Sequence, residues 1–138
     1  MTTTTLTRVI AIGSITGMRS MAGPAVVATP YGGVVRGITS LMAAGEMAAD
    51  KTAAVGNRTD PLPLAGRAVI GGVLGGLTAR EHRESVLLGA VVGASAAIVA
   101  AHLAYRLQTR LESTVAGGLL EDAIVLGAGA LYSRRPVA

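Results

Sequence analysis

Cysteine, phenylalanine and tryptophan are absent from the 138 residues, and charged residues make up only 14% of them. Without cysteine there is no disulfide and no thiolate metal site, and nothing in the chain marks a redox compartment. Without Phe and Trp a water-soluble core would lack its usual large space-fillers. A charged fraction this far below the ~25% of ordinary soluble domains also argues against a water-facing surface. There is no basic stripe either. The twelve Lys and Arg give a net charge of +4 and a pI near 10.3, yet they stand singly or in pairs without interleaved aromatics. That distribution excludes the usual nucleic-acid footprint. A secretory leader is not indicated, because Thr2–Thr5 replace a basic n-region and Arg19 interrupts the apolar run.

What is present is hydrophobic and small. The apolar fraction is 51%, the mean hydropathy +0.56, and there are nineteen glycines. One domain of this length and composition reads as an all-α, polytopic membrane helix bundle of about five helices. The segments are Val9–Ala28, Val34–Ala49, Leu62–Ala79, Val86–Tyr105 and Val115–Leu131. A bilayer core of about 30 Å needs roughly 20 helical residues, a length that only the fourth segment reaches without a charge. The others are expected to include short, kinked or re-entrant pieces. Tyr31, Tyr105 and Tyr132 fall near segment ends, where an amphipathic ring suits the headgroup layer. The expected partner is therefore the lipid bilayer, and the expected location a membrane. No cofactor or metal is implied.

Five spans would place Arg8, Lys51, Arg58, Arg67, Arg106 and Arg110 on one side and Arg36, Arg80, Arg83, Arg134 and Arg135 on the other. So even a split does not decide orientation by the positive-inside rule.

Glycines recur at helical spacing as Gly13/Gly17, Gly33/Gly37, Gly71/Gly75, Gly72/Gly76 and Gly89/Gly93. Bare positions every fourth residue let two backbones meet, so van der Waals contact replaces the hydrophobic drive that lipid removes. These are read first as seams within the chain and second as faces for a homo-oligomer. The third segment, with four such glycines, is expected to be the most central.

Charges inside apolar segments are costly and normally face one another or a wet cavity. Arg19 lies within the first segment, Glu46 and Asp50 share a helical face at the end of the second, and Glu121 and Asp122 lie in the fifth. An arginine at a helix centre costs about 2.5–3.5 kcal/mol on the insertion scale, whereas each Ile or Val returns about 0.3–0.6. Val9, Ile10, Ile12, Ile15, Val26 and Val27 therefore only offset Arg19, and the first segment needs partners. Glu46 is expected to pair with Arg19 or with Arg67. Glu121 and Asp122 sit either in the buried part of their helix or near its N-terminus, where the dipole favours them. Pro24 removes a donor and clashes one turn back, so the helix should bend or break around Arg19, Ser20 and Pro24. Transporters build sites at such interruptions. His102 is expected to be a hydrogen-bonded structural residue. Gly13, Gly17 and Glu46 recur 76 residues later as Gly89, Gly93 and Asp122, the spacing expected of an inverted repeat if an odd number of spans separates the copies.

The motifs Gly13-x3-Gly17-Met18-Arg19-Ser20, Glu46-x3-Asp50-Lys51, Asn57-Arg58-Thr59-Asp60-Pro61 and Ala65-Gly66-Arg67 resemble a small bacterial integral-membrane family catalogued as domain of unknown function 4126. The resemblance spans most of the chain and implies a multi-helix membrane protein, with no activity attached. Members often carry a proline soon after the Asp-Lys pair, whereas here Thr52 follows and the prolines come at Pro61 and Pro63.

Three function classes follow. The first is a proton- or ion-linked transporter or permeation protein, its binding or coupling site drawn from Arg19, Ser20, Glu46, Asp50, Arg67, Glu121 and Asp122, and its small ion or solute not named by the sequence. The second is a non-catalytic structural or accessory protein in which the same charges pair permanently. The third, an enzyme acting on lipid headgroups, lacks a nucleophile triad, a phosphate loop or spaced Asp clusters. The leading expectation is not an enzyme.

Overall fold

The computed structural model describes residues 1–19, 21–28, 33, 37, 39–41, 60–110 and 114–133, with side chains for all of these except 114–117, 121 and 131–133. Among the described residues there are five helices: α1 (Thr3–Met18), α2 (Ala22–Ala28), α3 (Pro61–Glu81), α4 (Val86–Arg110) and α5 (Thr114–Ser133). The segment Val34–Ala49 falls mostly outside the described residues, although residues 37 and 39–41 are helical.

Local chemistry sets the helix ends. The Thr2 side chain accepts from the Thr5 N–H and starts α1. Pro61 opens α3, where its missing donor costs nothing. At the far end of α3 the Glu84 N–H reaches the Ala79 carbonyl and the Arg83 N–H the Arg80 carbonyl. This crossed pair puts Arg83 in the left-handed region at φ 56°, the position glycine usually fills. The Ser85 hydroxyl accepts from the Leu88 N–H and opens α4.

The first apolar segment is not one helix. Arg19 is extended (φ −138°, ψ 111°) and α1 stops at Met18. Pro24 then lies in the first turn of α2, so its lack of a donor and its ring rule out helix one turn earlier. The Ala22 N–H closes the turn on the Arg19 carbonyl. A Cβ on Gly23 would meet the Thr16 hydroxyl and Leu74, so α2 doubles back onto the end of α1. The expected kink is a reversal.

Three helices meet along a glycine seam. Gly13 and Gly17 of α1 face Gly93 and Ala97 of α4, both numbers rising together, so these helices run parallel. Gly71 and Gly75 of α3 face Gly93 and Gly89, one rising as the other falls, so α3 runs against both. A Cβ on Gly17, Gly75 or Gly93 would overlap a carbonyl oxygen of the facing helix. Gly72 and Gly76 pack against α4 more loosely, with nearest atoms at 3.3 Å. In line with its expected central place, 44% of the apolar window of α3 is buried, against 28% for α4. The seam glycines are thus used within the chain, whereas a Cβ at Gly33 or Gly37 would meet nothing within 4 Å.

This arrangement corrects two expectations. An inverted repeat requires the 13–17 and 89–93 segments to run in opposite directions, but α1 and α4 are parallel. The reversal after Met18 adds a change of direction that a count of whole apolar segments omits. For the same reason Arg8 lies at the same end of the bundle as Arg80 and Arg83, not opposite them.

Beside a core of small and branched apolar residues, the bundle buries several polar side chains and exposes many large apolar ones. Leu62 (83% exposed), Leu87 (74%) and Val69 (65%) face outward, while Arg19 is the largest fully buried side chain among the described residues. Among the described residues two helices, α3 and α4, are long and apolar enough to cross a membrane.

Candidate functional site

The reversal between α1 and α2 gathers three of the charged residues that the sequence singles out. The last carbonyls of α1 have no partner within their own helix, and they form the negative end of its dipole. The Arg19 N–H takes the Ile15 carbonyl, and the Arg67 guanidinium, six residues into α3, donates to the Gly17 carbonyl at 3.2 Å. One backbone donor and one side-chain donor thus close the helix end in a place that water barely reaches, since Arg67 is only 6% exposed.

The Arg19 guanidinium turns to α5. Its Nε donates to Asp122 Oδ1 at 2.9 Å, and Nη2 lies 2.7 Å from the same oxygen. Arg19 is 1% exposed and Asp122 8%. Gly118, one turn before Asp122, lies beside the guanidinium, and a Cβ there would sit in ordinary contact, 4.0 Å from Arg19 Nη2. Below the pair, Ile15, Ala22 and Val125 form an apolar cluster with Met18 and Ala128 against it. Further along, Gly129 admits Val26 of α2. The contacts 19–122 and 26–129 both advance by seven residues, so α2 and α5 run parallel.

The pair is buried, at the end of α1 and near the middle of α5. Arg19 follows the last residue of α1, about 24 Å from the start of that helix at 1.5 Å per residue. Asp122 is eight residues past Thr114, well inside α5, which settles its placement in favour of the buried alternative over the N-terminal one. The Arg19 partner seen here is Asp122, where the sequence named Glu46 first. Glu46, Asp50 and Ser20 lie outside the described residues, as does the side chain of Glu121. His102 is exposed, with Nδ1 2.9 Å from the Ile98 carbonyl of its own helix, so it is hydrogen-bonded as expected.

Sequence reasoning passed over the Gly17 carbonyl as an acceptor and Gly118 as a neighbour of Arg19. Gly118 stands four residues before Asp122, so the spacing alone could have marked it as sharing that face.

A second polar cluster, also unanticipated, closes the opposite end. No acidic residue lies in the first turn of α1. Glu84 supplies one from the α3–α4 turn, accepting from the Thr2 N–H at 2.9 and 3.1 Å and from the Thr5 hydroxyl at 3.1 Å. The backbone bond from Thr2, aided by the Thr2 and Thr5 side chains, holds the Glu84 pKa below its ordinary value against a smaller opposing effect of burial.

Chemically, the Arg19–Asp122 pair offers one permanent cation and one protonatable carboxylate at a chain reversal. Among the described residues no group of three or more His, Cys, Asp or Glu could hold a metal ion. No protein-family model, curated protein or solved structure matches the chain.

Proposed function

We propose that the chain is an integral membrane protein of the bacterial cytoplasmic membrane and that the Arg19–Asp122 pair is the centre of a proton- or ion-linked permeation or transport site. The observation that carries this reading is the buried ion pair beside an interrupted helix, inside a bundle whose outer surface is apolar. Lipid accepts the exposed leucines and valines of α3, α4 and α5 at no cost, whereas water does not. Charged groups retained inside such a bundle mark ion or proton pathways more often than ornament. Asp122 is the group that can change charge, and Arg19 is the fixed cation that it would release on protonation or on exchange for a solute anion. Arg67 acts by positioning, since it fixes the end of α1 from which Arg19 projects. The short α2, lying back against α1, fits a re-entrant piece better than a span. The resemblance to the family catalogued as domain of unknown function 4126 agrees with this class and leaves the solute open.

A second reading is favoured by the closure of the pair. At 1% exposure Arg19 serves equally well as a permanent clamp, in a structural or accessory protein without flux.

Reconstituted liposomes separate the two readings. Wild-type protein should pass protons or a small ion from a broad panel, and Asp122→Asn should lose that flux while keeping wild-type helix content by circular dichroism. Absence of flux in the wild type across the whole panel would leave the structural reading.

A further inference from the structure

Helix α4 turns its glycines to the seam and carries a stripe of exposed side chains on its other side. Leu88, Val91, Ser95, Ile98, His102 and Tyr105 follow one another at steps of three and four residues, so they share that side. Lipid suits four of the six, Tyr105 through its place near the helix end. It does not suit Ser95 and His102, whose polar atoms meet no water in hydrocarbon. Ser95 lies nine residues after Val86 and His102 eight before Arg110. At 1.5 Å per residue, both fall inside a core of about 30 Å centred on this helix.

The two residues have complementary chemistry. His102 Nδ1 lies 2.9 Å from the Ile98 carbonyl of its own helix. A carbonyl only accepts, so Nδ1 carries the proton and the neutral ring presents Nε2 as an acceptor. Ser95 presents a hydroxyl donor. The two stand two turns apart, about 10 Å, too far to meet within one helix. A second α4 running the opposite way satisfies both at once. With a two-fold axis beside Ile98, the Ser95 hydroxyl of each chain donates to the His102 Nε2 of the other. A parallel pair would instead set two Nε2 lone pairs against each other with no proton between them.

The charges permit opposite insertion. Among the described residues the exposed arginines stand two at each end of α4, Arg80 and Arg83 at its start and Arg106 and Arg110 at its end. Such an even placement favours neither direction under the positive-inside rule. The glycines of α4 are no rival interface, because Gly89 and Gly93 already meet α3 and α1 within the chain.

We propose that this stripe is the interface of an antiparallel homodimer, in which two copies inserted in opposite directions exchange two Ser95–His102 hydrogen bonds. The proposal rests on the membrane reading above and is independent of transport.

The absence of cysteine makes the test direct. Two differently tagged chains, one carrying Val91→Cys and the other Tyr105→Cys, are co-expressed and oxidised in the membrane. The antiparallel pair brings these positions together, so the mixed cross-link should form and the Val91→Cys chain should not cross-link to itself. Ser95→Ala and His102→Leu each remove both hydrogen bonds. Each should weaken the dimer roughly tenfold in native mass spectrometry against dilution. The melting temperature of the monomer should hold, because both side chains are exposed. Self-cross-linking of Val91→Cys would overturn the proposal in favour of a parallel pair. A monomer in the membrane, a complex with a protein of another mass, or a dimer indifferent to both variants would overturn it as well. Recovery of the chain from cells without detergent would overturn the membrane reading, and this proposal with it.

Discussion

The glycine seam and the Arg19–Asp122 contact hold different parts of this bundle by opposite means. Along α1, α3 and α4, side chains are missing and carbonyl oxygens lie where a Cβ would stand. At α5 a large side chain is fully buried and held by one carboxylate. The seam gains from the sum of many small dispersion contacts and tolerates no added atom. The ion pair concentrates its effect in two residues, and its strength depends on both being present. The difference teaches where change is possible: the seam is a fixed frame, and the part that can respond to charge is the α2–α5 side.

The largest effect should come from the frame. Gly17→Leu puts a side chain into the backbone of Ala97, and loss of the folded bundle is expected, seen as loss of cooperative melting in detergent. Next comes the pair. Asp122→Leu leaves Arg19 buried without its carboxylate and should cost about 3–5 kcal/mol, most of which Arg19→Met in the same chain should restore. Denaturant titration of the single and double variants measures both values. Arg67→Met removes a charged hydrogen bond to the Gly17 carbonyl and should cost about 1.5–3 kcal/mol. Gly72→Ala sharpens the contrast within the frame. Its nearest neighbour is at 3.3 Å, and the gain of about 1 kcal/mol in helix propensity should leave its melting temperature near wild type.

The smallest effect should lie at Glu84. Its pKa is lower in the folded chain, so the unfolded chain binds the extra proton. The stability this adds is present above the ordinary carboxylate pKa and is lost as pH falls through the lowered native value. Glu84→Gln should flatten that acid limb of the melting-temperature profile, with a slightly lower melting temperature than wild type at neutral pH and convergence with it in acid.

Much of the fold was legible because apolar length and glycine spacing act locally. Leu62–Ala79 became Pro61–Glu81, Val115–Leu131 became Thr114–Ser133, and the break near Arg19 followed from Pro24. The direction of α2 was not legible. Proline predicts that a helix stops, but the contact of Gly23 with Thr16 and Leu74 decides where the chain goes next. That one reversal also removed the inverted repeat and moved Arg8 to the other end. The choice of Asp122 for Arg19 depends on which helix packs beside the break, which residue spacing within one helix does not encode. The Glu84 clasp joins residues 82 apart in the chain, so no local pattern announced it.

The most direct test of the central claim is ion or proton flux in liposomes through the chain carrying Arg19→Met together with Asp122→Leu. This variant replaces both charges by apolar side chains that can pack against each other, so the bundle should melt within a few degrees of wild type. Flux lost from this folded, charge-free protein is the predicted result. Flux equal to wild type would contradict the account and reduce the pair to a clamp.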